Sequence, residues 1–154
     1  MALQIRAATA ADFPAWCELW AGYNAFYGRH GDTALPEAQV RLTWQRLLGL
    51  LDEAEPMQLL LAERDGQVLG LAHCIYHRNT LLPHYACYLQ DLFTAPQARG
   101  QGVARALIAA VEDAARARGC PSVYWHTHQD NATARRLYDQ LASATGFIVY
   151  RAML

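Results

Sequence analysis

Lysine is absent from the 154 residues, and all 13 basic side chains are arginine. Fourteen acidic residues offset them to a formal net charge of −1, so the basic excess of a dedicated nucleic-acid binder is missing. No Cys-x-x-Cys pair occurs, and Cys17, Cys74, Cys87 and Cys120 stand far apart. That spacing reads as reduced core thiols rather than a zinc site or a disulfide frame. No apolar stretch approaches the ~18 residues of a membrane-spanning helix. The start, Met1 to Arg6, has neither the basic region nor the apolar core of a signal peptide. Disorder is excluded as well, because 53% of the residues are hydrophobic. The expectation is one soluble, cytoplasmic domain over residues 1–154, without a nucleic-acid or membrane partner.

What is present is a regular alternation of periods. Leu3 to Ala7 reads as a short strand, and Thr9 or Asp12 can cap a helix running to about Tyr27. Pro36 opens a second helix through Trp44 to Leu51. Met57–Glu63 and Gln67–Tyr76 are apolar runs joined at Arg64-Asp65-Gly66, a hairpin signal. Tyr85–Thr94 is a further strand, Val103–Arg118 an alanine-rich helix stopped by Gly119 and Pro121, and Ser122–His128 a strand. Asn131 to about Ala144 reads as a helix and Phe147–Arg151 as a last strand. The order βααβββαβαβ predicts an α/β fold with a mixed sheet. Its central βαβ crossover makes strands 85–94 and 122–128 parallel. Ligands on such units sit outside the carboxyl ends of the strands, which directs attention to residues 92–105.

That stretch contains Arg99-Gly100-Gln101-Gly102-Val103-Ala104-Arg105. Two glycines at a helix mouth allow close backbone approach. The free amides of the first turn favour an anion, and Arg99 and Arg105 add positive charge. A diphosphate matches such a turn. The dinucleotide pattern fails because Arg105 replaces its third glycine, and the phosphate-loop pattern fails for want of a Lys-Ser/Thr pair. A plain strand-to-helix turn stays open on the glycines alone. A second pair, Asn131 and Tyr138, is seven residues apart on one helix, hence within about 20° of one face and roughly 10 Å along the axis. One extended ligand can reach both; equally, Asn131 can be a cap and Tyr138 a packed aromatic.

Gln97-Ala98-Arg99-Gly100-Gln101-Gly102 resembles the Gln/Arg-x-x-Gly-x-Gly/Ala signature of the GNAT N-acetyltransferase superfamily. The preceding strand, Tyr88 to Thr94, is similar to the one that carries the acetyl-thioester there. The ending Thr145-Gly146-Phe147-Ile148-Val149-Tyr150-Arg151 is most similar to the histone/polyamine acetyltransferase-like branch. The resemblance implies acetyl-CoA as donor, lying between two splayed parallel strands. Main-chain groups of Leu92, Phe93 and Thr94 would hold its pantetheine. Amides of Gly100, Gln101, Gly102, Val103, Ala104 and Arg105 would cradle its pyrophosphate. Asn131 would contact the cofactor, and Tyr138 would lie near its sulfur. A phenol, protonated at neutral pH, can protonate a departing thiolate.

The acceptor side departs from the family, whose usual Glu on the strand before the turn is here Gln90. Asp91 is the one carboxylate on that strand, a candidate catalytic base or a structural acceptor. His73/His77 and His126/His128 are spaced to share a face, but two imidazoles without a third ligand do not make a metal site, and no metal is expected. Tyr23, Phe26, Tyr27 and Trp44 are acceptor-pocket or core residues, with Trp44 assigned to the core. The reading is an N-acetyltransferase acting directly on a small-molecule or peptide amine; the alternative is an acyl-CoA-binding sensor without turnover. The resemblance, and an apolar last strand placed at a sheet edge, imply a homodimer.

Overall fold

The hairpin expected at Arg64-Asp65-Gly66 organises the sheet. In the computed structural model, which describes residues 1–154, β2 (Met57–Arg64) and β3 (Gln67–His77) run antiparallel around it. Asp65 and Gly66 both take positive φ, 53° and 77°, as a two-residue type I′ turn requires. Outside β2 lies β1 (Gln4–Ala7), antiparallel, while β4 (Ala86–Thr94) pairs antiparallel with β3. The short β5 (Val123–Tyr124) is parallel to β4, which sets the order β1-β2-β3-β4-β5.

Alternation along β3 sends its side chains to two layers. His73 meets Trp16 on α1 (Phe13–Phe26), and α2 (Glu37–Leu48) packs on the same side through Trp44. Gly70 faces α3 (Val103–Ala117) so closely that a Cβ there would lie 2.8 Å from Val103 Cγ1. Val103, Leu107, Ile108, Val111 and Ala115 form the buried stripe of α3, the 3.6-residue periodicity of a half-buried helix. With Trp16, Leu61, Leu71 and Leu89 they make one core. Burying each such aliphatic side chain is worth about 1.5–3 kcal/mol. The last helix, α4 (Ala132–Leu141), follows β5.

The mixed α/β class and the central crossover are as expected, but the carboxyl-terminal end is not. Residues 142–154 form neither helix nor strand, and Phe147, Ile148, Val149 and Tyr150 are exposed. The expected strand Phe147–Arg151 is therefore absent, since a strand exists only when a neighbour takes up its backbone hydrogen bonds, and nothing in this protomer lies alongside it. Two ladder pairs alone hold β5, which is shorter than the expected 122–128. The expected ends of two helices also move inward. Gly49, left-handed at φ 66°, stops α2 at Leu48, and α4 stops at Leu141.

Candidate active site

β4 and β5 pair only at Cys87–Val123 and Tyr88–Tyr124, after which they part. β4 continues to Thr94 without a parallel neighbour, and the gap becomes a cleft of about 560 Å³. Its floor is Leu92, Phe93 and Thr94; one wall is the turn from Arg99 into α3; the other is α4 with Asn131, Ala134, Leu137 and Tyr138. Tyr23 and Phe26 of α1, with Tyr27 just beyond its end, close the far end. Gly22 makes that closure possible, because a Cβ there would lie 2.9 Å from the Phe93 ring. A second hollow of about 740 Å³, between α1 and the β2–β3 turn, shares Phe26, Phe93 and Arg99 but holds none of the α4 residues.

The glycine turn is an anion cradle in its hydrogen bonding. Ala106 makes the first helical bond of α3, donating to the Gly102 carbonyl at 3.0 Å. From Gly100 to Arg105 the six successive backbone N–H groups have no hydrogen-bond partner within the protein. Gly100 and Gly102 hold φ of 72° and 81°, and a Cβ on either would meet nothing within 4 Å. The space over the turn is open, and the amides face it at the positive end of a helix. These features fit a pyrophosphate.

The side chains around the turn divide. Arg99 extends over the Phe93 ring, 5.9 Å from its centroid, and Arg105 donates to Gln140 of α4 at 2.5 Å. Val103 and Ala104 line the cleft, whereas the Gln101 side chain is turned away, bonded to Arg64 and the Gln97 carbonyl. Gln101 can therefore serve only through its main chain. Asn131 caps α4, its Oδ1 accepting from the Ala134 amide at 3.4 Å and its Nδ2 donating to Thr127 at 3.2 Å, while still lining the cleft. Tyr138 packs edge-on against Trp125, 5.4 Å between ring centroids. Burial, aided by nearby Tyr27, pushes its phenol up to about 12, so it holds its proton at any working pH.

Asp91 does not line the cleft. β3 pairs His73 with Asp91 and Cys74 with Leu89, leaving Gln90 as an extra residue in β4. This bulge turns Asp91 to the α1 side of the sheet, opposite Leu89. There it is 6% exposed and accepts from Trp20 Nε1 at 3.2 Å and from His73 Nδ1 at 2.8 Å, both on Oδ2. Trp16 Nε1 donates to His73 Nε2 at 2.8 Å, which assigns the hydrogen to Nδ1. Burial pushes Asp91 up, but the His73, Tyr23 and Trp20 donors outweigh it and hold the carboxyl below its ordinary value. Tyr23 of α1 lines the cleft, its hydroxyl donating to the Gln90 carbonyl at 3.4 Å. Tyr23 and the His73–Trp16–Trp20 support were not legible as a unit. Their only sequence signal is a pair of tryptophans one helical turn apart and a histidine inside an apolar strand.

The other histidines find aromatic partners. His77 Nε2 lies 2.7 Å from the Tyr124 hydroxyl, and His126 Nδ1 lies 3.1 Å from that of Tyr88. No group of three or more His, Cys, Asp or Glu side chains comes together as a metal site. Trp44 is core, packed edge-on against Phe13 and tilted against Trp16.

A splayed parallel pair, an amide cradle and a phenol in one cleft define an acyl-CoA-dependent transferase. Residues 14–142 match the acetyltransferase (GNAT) family. The chain belongs to that family and is an acetyl-CoA-dependent N-acetyltransferase. It is 30% identical over 149 residues to the D-amino-acid N-acetyltransferase HPA3 of Saccharomyces cerevisiae, covering 96% of this chain and 88% of that one. An uncharacterized N-acetyltransferase of Bacillus subtilis, YhfO, is 29% identical, with 96% and 95% covered. Among solved structures, the aminoglycoside acetyltransferase AAC(6')-Iy in complex with a CoA-linked bisubstrate analogue superposes with a TM-score of 0.83 at 20% identity, covering 100% and 99%. At that identity the likeness is one of fold.

Proposed function

We propose that the protein moves the acetyl group of acetyl-CoA directly to the primary amine of a small molecule or peptide. Tyr138 protonates the departing thiolate, and Asp91 receives the acceptor's proton. The observation that carries this reading is the row of six unpartnered amides, Gly100 to Arg105, opening into the same cleft as Tyr138. Binding of the diphosphate there directs the thioester along Leu92–Thr94 toward that phenol. None of the four cysteines lines the cleft, which supports transfer without an acyl-enzyme. A small amine as acceptor is supported by the relative HPA3, whose name specifies D-amino acids. The ending from Thr145 to Arg151 is the basis for assigning the chain to the histone/polyamine-like branch. The chain acts as one cytoplasmic domain over residues 1–154. It forms a homodimer in which a partner covers the exposed run Phe147–Tyr150.

The test is thiol release from acetyl-CoA with a panel of D-amino acids, aminoglycosides, polyamines and peptides. Release that depends on both acetyl-CoA and one amine class is expected. A panel without amine-dependent release overturns the reading.

A further inference from the structure

The carboxyl-terminal end of α1 is a fixed mount for one arginine. Gly28, left-handed at φ 80°, lets the chain turn back. Its amide donates to the Ala25 carbonyl at 3.0 Å and the Arg29 amide to that of Asn24 at 2.9 Å, the paired bonds of a Schellman motif. The side chain is held by the same residue, Arg29 Nε donating to Asn24 Oδ1 at 2.7 Å. Asn24 is itself 6% exposed and anchored through Nδ2 to the Trp20 carbonyl at 2.9 Å. So mounted, the half-buried Arg29 sets its guanidinium 5.8 Å from the centroid of the Tyr27 ring. Tyr27 and Tyr23, 5.0 Å between ring centroids, both line the far end of the cleft.

A cation just past a helix end is favoured by the helix dipole alone. Arg29 offers more, because nothing in the protein uses its two outer nitrogens. The bond to Asn24 is its only side-chain hydrogen bond, and none of the protein's ion pairs includes it. Asp32, in the turn that follows, is exposed and forms no ion pair. No Asp or Glu lines the cleft, and its own cations, Arg99 and Arg105, stand at the amide cradle. We propose that Arg29 receives a carboxylate of the acceptor, so that the substrate is an amine that also carries a carboxylate: an amino acid, or a short peptide through its carboxyl terminus. The inference rests on the transferase reading above and narrows its acceptor. A guanidinium fork matches a carboxylate with two parallel hydrogen bonds. A polyamine or an aminoglycoside brings further ammonium groups instead, which meet the Arg29 charge with no lining carboxylate to offset it.

The test crosses enzyme variants with substrates: the best amino acid of the panel and its carboxamide, each assayed with wild type, Arg29→Gln and Arg29→Lys. Taking the change between enzymes for each substrate cancels the difference in basicity between the two amines. Arg29→Gln should raise KM for the amino acid about 10-fold or more, the worth of a charged hydrogen-bonded pair. Its KM for the carboxamide, its kcat and its acetyl-CoA affinity should be unchanged, as expected when an interaction common to ground and transition states is removed. Arg29→Lys keeps the charge and should recover part of the loss. A residue that only caps α1 would lower the melting temperature on replacement and shift both substrates alike. Equal shifts for acid and carboxamide, an Arg29→Lys enzyme that recovers nothing, or a wild type that prefers polyamines or aminoglycosides overturns the Arg29 assignment alone. A wild type silent toward every amine overturns the transferase reading with it.

Discussion

Between Arg99 and Arg105 the cleft presents main-chain amides and open glycine positions, whereas across from it, from Tyr23 to Asp91, side chain rests on side chain. The first wall is contiguous in the chain. Its geometry follows from two left-handed glycines and the start of a helix, and nothing in its amide row titrates. Behind the second wall, outside the cleft lining, the fold joins residues distant in sequence: Trp16 and His73 are 57 positions apart, Trp20 and Asp91 71. That junction depends on one ionised carboxylate. Under the proposed function the work divides along the same line: the backbone wall would bind the donor, and the side-chain walls would handle protons and the acceptor.

The largest expected effect comes from breaking chemistry while sparing binding. Tyr138→Phe keeps the edge-on contact with Trp125 and should leave acetyl-CoA affinity and melting temperature unchanged. Its kcat should fall about 10²–10⁴-fold, a deficit that shrinks at high pH, where a thiolate with a free-thiol pKa of ~8.5 needs no acid. Steady-state kinetics across pH checks this.

A smaller effect separates the walls by acid. Asp91 is held below its ordinary value despite its burial, and Arg6 and Thr9 hold Asp12, before α1, lower still. A carboxyl whose folded value is depressed contributes stability that is fully present above its unfolded value of ~3.9 and is lost as pH falls through the folded one. Tryptophan emission, which includes Trp16 and Trp20, and melting temperature should therefore be flat near neutrality and drop below about pH 4. Asp12→Asn should cost about 1.5–3 kcal/mol at pH 7, the worth of charged hydrogen bonds, and should flatten the acid limb.

The smallest effect on protomer stability belongs to the tail. Phe147, at 92% exposure, makes no packing in the protomer, so deleting residues 147–154 should barely change the melting temperature of a dilute sample. By light scattering the full chain should be a dimer and the deleted chain a monomer. A full chain that stays monomeric at high concentration removes the homodimer.

These contrasts also explain what was legible in the sequence. The hairpin at Asp65-Gly66, the α3 stripe and the glycine turn are local patterns, and each lies where its periodicity or turn chemistry puts it. Asp91's environment was not legible, because one extra residue at Gln90 decides which face it occupies and alternation alone cannot register a bulge. The strand over Phe147–Arg151 was read from apolarity, which describes a residue's preference and not its neighbour. The Trp16–His73–Asp91–Trp20 network needs three elements brought together by the fold, and no spacing in the chain announces it.

The central claim is that the open amides from Gly100 to Arg105 bind acetyl-CoA, and thermal unfolding with that ligand tests it directly. At a hundredfold excess over the dissociation constant, a ligand of the native state adds about 2.7 kcal/mol, and the wild-type melting temperature should rise accordingly. Gly102→Val, strained at φ 81° and projecting into the cradle, should melt lower on its own and show no rise with acetyl-CoA. A wild type whose melting temperature is unmoved at millimolar acetyl-CoA, or a Gly102→Val variant that gains as much as wild type, would contradict the account.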